Sequence, residues 1–186
     1  MADPGLWGNQ HPGWPAVLGT LPLARPDGLD AGAVGLRPLR RRDGGPWRQI
    51  RIRDQDLIAR WDATSRKTWS QRHSTLMWRQ QRAALRRSAQ LGEALPFAIT
   101  VDGSFAGQVT VGGIQRGALQ SCWVGYWVDS AHHGKRVATR AVALVVAHLF
   151  GSVGMHRVEA TISPENLASQ AVVGHLGFRR EGLLRR

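Results

Sequence analysis

The stretch His132-His133-Gly134-Lys135-Arg136-Val137-Ala138-Thr139 constrains this chain more than any other. A strand-like segment, Cys122-Trp123-Val124-Gly125-Tyr126-Trp127-Val128, runs into it, and an apolar helix, Ala138 to Phe150, runs out of it. A glycine-bearing turn between a strand end and a helix start leaves backbone N–H groups without carbonyl partners. It also places them at the positive end of the helix dipole, which favours phosphate. Further along, Ser163-Pro164-Glu165-Asn166-Leu167-Ala168-Ser169 leads into a short helix that ends at Leu176-Gly177-Phe178. Together the segments point to a pyrophosphate-bearing cofactor held beside a short polar helix start.

The 186 residues suit one domain of roughly 150 residues plus an appendage. The longest apolar run, Ala141 to Phe150, is interrupted by His148 and falls far short of the ~20 residues a membrane span needs. The N-terminus shows no basic segment followed by an apolar core, so no secretory signal is read there. Cys122 is the only cysteine, which excludes an internal disulfide and argues against a cysteine-based metal site; no metal is expected. A reducing cytosol fits this composition. The formal net charge is +12, carried almost wholly by arginine, with Lys67 and Lys135 the only lysines. Such a balance suits a solvated basic surface, or attraction to a phosphorylated cofactor, an acidic protein or an RNA-rich assembly, and composition does not choose among them.

Residues 1–33 are rich in Gly, Pro and Asp, sustain no helix or strand period, and read as a mostly flexible tail in which Trp7 and Trp14 are isolated aromatics. Residues 34–186 read as the folded domain. Val34 to Leu39 is predicted as a strand. Trp47 to Trp61 is predicted as a helix burying Ile50, Leu57, Ile58 and Trp61, and Gln71 to Gly92 as a second. Arg79, Arg82 and Arg86 share one face of that second helix, read as solvent-exposed. Pro96 to Val101 and Phe105 to Ile114 flank the turn Asp102-Gly103-Ser104, a hairpin pattern. After the glycine turn, Ala138, Val142, Val145 and Leu149 form an apolar stripe. Met155 to Ile162 alternates as a strand, and Asn166 to His175 reads as a last helix. The order is that of a mixed α/β (α+β) sheet with one crossover, not a repeating βαβ array.

At these residues the chain resembles the GNAT superfamily of acetyl-CoA-dependent N-acetyltransferases, most closely the branch that acetylates N-termini of ribosomal proteins. Three segments carry the resemblance: Gly125-Tyr126-Trp127-Val128 with the following turn, His156-Arg157-Val158-Glu159-Ala160, and Pro164-Glu165-Asn166 through Ser169 to Gly177-Phe178. The ending Arg179-Arg180-Glu181-Gly182-Leu183-Leu184-Arg185 is similar to that branch too. The resemblance implies the GNAT fold, a mostly antiparallel central sheet flanked by helices. It also implies further strands beyond the position of Arg186, so the C-terminal strands are expected to be truncated here.

The family's pyrophosphate pattern, Q/R-x-x-G-x-G/A, falls on His133 to Ala138, with His133 in place of Gln or Arg and Arg136 in place of Gly. The resemblance therefore implies that His133, Gly134, Lys135, Arg136, Val137, Ala138 and Thr139 form the cofactor turn. A Cβ at Arg136 crowds or restricts that turn, or its guanidinium adds a charge-assisted contact. The resemblance further implies main-chain contacts from Trp127 and Val128 to the pantetheine, a cofactor contact from Asn166, and a Ser169 hydroxyl that protonates the leaving thiolate. Asn166 is equally suited to cap the helix.

Transfer needs a neutral amine, a polarised carbonyl and a destination for two protons. No His–Asp partnering surrounds Cys122 or Ser169, so direct attack in a ternary complex is favoured over a covalent intermediate. Glu159 is the nearest acid on a strand, with an ion pair to a neighbouring arginine as its alternative use, and Asp129 sits just past the preceding strand. The acceptor implied is a protein N-terminal amine, ribosomal-protein-like, with no specific nucleic acid and no membrane, the chain acting as a monomer or homodimer. Competing readings are acetylation of a small amine such as an aminoglycoside or polyamine, a non-catalytic acyl-CoA-binding shell, and a nucleic-acid module built on the arginines.

Overall fold

Alternating apolar residues build the centre of the molecule. In a computed structural model describing residues 13–24 and 30–185, the strands β1 (Leu18–Ala24), β2 (Asp30–Pro38), β3 (Leu95–Val101), β4 (Ser104–Gln115), β5 (Ser121–Val128) and β6 (Arg157–Glu159) lie side by side in chain order. Neighbours from β1 to β5 are antiparallel, and β6 is parallel to β5. The β3–β4 hairpin turns through Asp102 (φ 50°) and Gly103 (φ 78°), two consecutive left-handed residues whose twist matches the flanking strands. Every residue of β3 is buried, so this strand is covered on both faces.

One face carries Val34, Leu36, Phe97, Ile99, Val109 and Val124, packed against α5 (Val137–His148). Each such fully buried side chain contributes about 1.5–3 kcal/mol. The buried stripe of α5 is Val137, Ala141, Val142 and Val145, continued by Leu149, with Ala138 only half-buried. The helix begins one residue earlier than the sequence predicts; Val142, Val145 and Leu149 of the predicted stripe are buried, and Val137 and Ala141 join them in place of Ala138. It runs into a five-residue π turn, Leu149–Val153, that Gly154 closes at φ 73°.

The other face is covered by α1 (Gly44–Arg53) and α4 (Thr75–Gln90), with α2 (Gln55–Ile58) and α3 (Trp69–Arg72) as short turns between them. Both long predicted helices are therefore interrupted. The first breaks at Asp54, which leaves helical torsions (φ −94°, ψ 22°) and whose buried carboxylate accepts from Arg53 and Ser130. The second breaks at His73, and Ser74 then caps α4 by accepting from the Met77 N–H. Ile50 is buried as expected, whereas Leu57 is exposed and Ile58 and Trp61 are half-buried. A buried bidentate pair, Arg37 with Asp43 at 2.8 Å on both arms, fixes the end of β2 to the start of α1.

Leu18–Ala24 forms β1 on the edge of β2, and Trp14 is buried edge-on against Phe97 with ring centroids 5.2 Å apart. This segment was expected within a flexible tail. Its main-chain pairing and one aromatic anchor order it without any apolar period. Residues 1–12 of that expected tail lie outside the described residues. The strand expected over Met155–Ile162 is ladder-bonded only at Arg157–Glu159, and the last helix, α6, spans Leu167–His175.

Candidate active site

The glycine turn leaves a row of backbone N–H groups open at the start of α5. Gly134 lies at φ 73° and Arg136 at φ 57°, and the first bond of α5 runs from the Arg140 N–H to the Arg136 carbonyl. The N–H groups of Gly134, Arg136, Val137, Ala138 and Thr139 consequently have no hydrogen-bond partner among the described residues. The space above Gly134 is open, with nothing within 4 Å of the position a Cβ would take. These donors at a helix start suit a pyrophosphate. The side chains turn elsewhere: Lys135 Nζ donates to the Ala131 carbonyl at 2.9 Å and His133 Nε2 to the Val128 carbonyl at 3.1 Å. His133, standing where the family pattern has Gln or Arg, thus braces the strand end. The Arg136 side chain is exposed.

A gap opens beside this cradle. β5 and β6 pair only through Ser121, Cys122 and Trp123, after which β6 leaves the ladder. The Asp129 N–H donates to the Ala106 carbonyl at 2.8 Å, so Trp127 opposite Gln108 and Gly125 opposite Thr110 continue the hydrogen-bonded pairs with β4. The alternation turns the main-chain groups of Tyr126 and Val128 toward the open side. The Val128 carbonyl is taken by His133, so Val128 is placed to meet a ligand in the gap through its N–H. The main chain of Trp127 is committed to β4, and that of Tyr126 faces the gap instead.

Across the gap, Asn166 caps α6 by accepting from the Ser169 N–H at 3.1 Å. The Tyr126 hydroxyl donates to the Ser169 carbonyl at 3.1 Å, tying β5 to α6. Burial raises the Tyr126 phenol above its ordinary value, so it stays protonated. Ser169 is half-buried and its hydroxyl has no partner among the described residues. Asn166 spends its oxygen on the cap, leaving its NH2 group for a ligand.

The expected acids stand differently. Glu159 lies level with Trp123, about 13 Å along β5 from Trp127 at ~3.3 Å per residue, and pairs with Arg157 at the surface. The structure does not bring Glu159 to the gap. Asp129 accepts from the Ala131 N–H and pairs with Arg53.

On the opposite sheet face, Trp127 helps wall a cavity of about 520 Å³ with Trp47 and Arg51 of α1 and Gln108 of β4. Arg51 is buried between the rings of Trp69 and Trp127, 5.0 and 5.3 Å from their centroids, and pairs with Asp62. Its Nε donates to His73 Nε2 at 3.0 Å, while His73 Nδ1 donates to the Trp69 carbonyl at 2.7 Å. Burial first, then Arg51 and Arg72, push His73 down to about 4, so it is neutral with both ring nitrogens engaged. Sequence reasoning missed Arg51, His73 and Gln108, because no local spacing links residues brought together from α1, the α3–α4 junction and β4. A larger hollow of about 640 Å³, lined by Arg41, Arg48, Arg53 and Arg79, contains none of the predicted site residues. Among the described residues no cluster of His, Cys, Asp and Glu could hold a metal ion, and no helix is long and apolar enough to cross a membrane.

A solved structure of Mycobacterium smegmatis RimJ in complex with CoA-disulfide is 45% identical, with a TM-score of 0.88 over 94% of this chain and 81% of that one. The "Probable N-acetyltransferase YjcK" of Bacillus subtilis (strain 168) is 44% identical over 85 residues, 46% of this chain and 47% of that protein. The [ribosomal protein uS5]-alanine N-acetyltransferase of Escherichia coli (strain K12) is 28% identical over 69 residues, 37% of this chain and 36% of that protein. The matches to these curated relatives span less than half of their length. The model of the acetyltransferase (GNAT) domain matches residues 33–179, the span holding both the N–H cradle and the parted strands, and the chain belongs to this GNAT acetyltransferase family.

Proposed function

We propose that this chain transfers the acetyl group of acetyl-CoA to the N-terminal amine of a protein. The observation that carries the reading is the row of unpartnered N–H groups at Gly134 and Arg136–Thr139, opening beside the parted strands β5 and β6. The cradle holds the pyrophosphate through backbone donors, with Asn166 adding its amide. Main-chain groups of Tyr126 and Val128 align the pantetheine arm along the edge that β6 leaves free. The RimJ structure bound to CoA-disulfide supports the ligand class, and the uS5-alanine acetyltransferase supports a protein N-terminus, ribosomal in kind, as acceptor.

Bond formation joins the amine nitrogen to the thioester carbonyl carbon as the carbon–sulfur bond breaks. The Ser169 hydroxyl, held at the gap by the Tyr126 bond to its carbonyl, supplies the proton to the departing sulfur. The amine's own proton has no free carboxylate to meet in the cavity: Asp62 is shared by Arg51 and Arg72, and the His73 lone pair is taken. Water removes it. That suits an α-amine, with an ordinary pKa of about 7.7–8.0, over a lysine or polyamine nitrogen near about 10.4. The test is incubation of the full chain with acetyl-CoA and peptides beginning with alanine or serine, read by mass. A gain of one acetyl group at the terminus is expected; acetylation of free polyamines or aminoglycosides but of no peptide overturns the reading.

A further inference from the structure

The cavity in front of Trp127 holds charges that the transfer step leaves unused, and Gln108 stands in its wall with a polar atom unpartnered. Gln108 lies in mid-strand and is 6% exposed. Its Nε2 donates to Thr110 Oγ1 at 2.9 Å, but its Oε1 is buried with no hydrogen-bond partner. A buried amide oxygen without a donor is destabilising, and such orphans are rare enough in native proteins that each asks for a ligand or a function. The surrounding charges do not balance. Arg51, Lys67 and Arg72 line the cavity as cations, against Asp62 as its carboxylate. Asp62 is already divided between Arg51 and Arg72, the latter at 3.3 Å. Arg51 is fixed between its two indole rings. Lys67 is exposed at the mouth, and its Nζ is satisfied by a weak acceptor, Met77 Sδ at 3.4 Å.

Resting on the acetyl-transfer reading above, we propose that this cavity selects the acceptor by charge. The Gln108 amide turns its shielded Oε1 to receive an N–H from the first residues of the incoming chain, and Lys67 with Arg72 receives a carboxylate side chain just after the terminal amine. A protonated amine entering alone meets like charge, and a polycation meets more of it. An N-terminus followed by aspartate or glutamate brings the missing negative charge. It also supplies a main-chain donor at the distance of a peptide unit from its own amine.

The test is a peptide series, Ala-Xaa-Xaa followed by a common neutral tail, with Xaa as Asp, Asn or Lys, assayed with the full chain and saturating acetyl-CoA. We expect kcat/KM for the Asp peptide to exceed that for the Lys peptide by about tenfold, with the difference shrinking as salt rises. Lys67→Glu, an exposed change that leaves the core alone, should erase or invert the order. Gln108→Leu should raise KM for all three peptides while leaving their ratio unchanged. Equal values across the series, a preference for the Lys peptide, or an Asp preference untouched by Lys67→Glu overturns the inference. Calorimetric binding of the same peptides to the chain with CoA separates it from the transfer reading. Tighter binding of the Asp peptide without turnover would leave the cavity's selectivity standing and sink the proposed reaction.

Discussion

Arg136 occupies the αL region, at φ 57° and ψ 18°, as the residue immediately before α5. A Cβ in that region costs about 1–2 kcal/mol through its clash with the following carbonyl. Glycine escapes the clash but loses more backbone freedom on folding, about 0.5–1 kcal/mol. Arg136→Gly should therefore stabilise the chain by about 0.5–1 kcal/mol, since the side chain is exposed and caps nothing. For a chain of this size that is a rise in Tm of about 1–4 °C. Arg136→Ala keeps the Cβ and removes the guanidinium, so it should leave stability within about 0.5 kcal/mol of the parent. Urea denaturation of the three proteins at constant m-value is the assay, with titration of CoA alongside. If phosphate is held by backbone N–H groups, glycine binds CoA at least as well as arginine. A fall in stability for Arg136→Gly would show that the αL cost is smaller than glycine's loss of backbone freedom, and equal gains for Gly and Ala would show that the guanidinium rather than the backbone sets the cost.

The buried Arg37–Asp43 pair makes Arg37→Ala costly, about 3–5 kcal/mol, because Asp43 at 2% exposure is left without its cation; a urea midpoint that hardly moves would show that the pair is hydrated. Tyr126→Phe removes the donor to the Ser169 carbonyl and should cost about 0.5–1.5 kcal/mol, read locally as faster amide exchange in α6 with a drop in turnover. Stability should also fall in acid in two stages. His73, at about 4 when folded against 6.5 ordinarily, binds its proton less readily folded than unfolded, so its contribution is whole above 6.5 and drains away as pH falls through 4. His73→Gln should flatten that limb. Burial raises the Asp54 carboxyl, but hydrogen bonds from Arg53 and Ser130 outweigh burial and hold it at about 2. Its contribution is accordingly whole above 3.8 and lost as pH falls through about 2, so Asp54→Asn should remove the lower stage.

What lies along the chain was legible in it. Period-two alternation and the Asp102-Gly103 turn mark β3, β4 and β5 to within a residue or two. The strand–glycine–helix order marks the N–H cradle, because backbone donors need only local geometry. Asn166 reads as a cap three residues before the N–H it accepts from. The break of the first long helix at Asp54 escaped, because the carboxylate that ends it is held by Ser130, far away in sequence. β1 escaped for the same kind of reason: its order comes from the β2 edge and from Trp14 on Phe97, not from its own composition. Glu159, the acid nearest in sequence, is spent at the surface, and the cavity at Trp127 is assembled from α1, the α3–α4 junction, β4 and β5. The sequence by itself determined the N–H cradle, since consecutive residues supply its donors. Only the tertiary structure decided the charged cavity at Trp127, since its charges balance, or fail to balance, only when distant segments meet in a medium that screens them poorly.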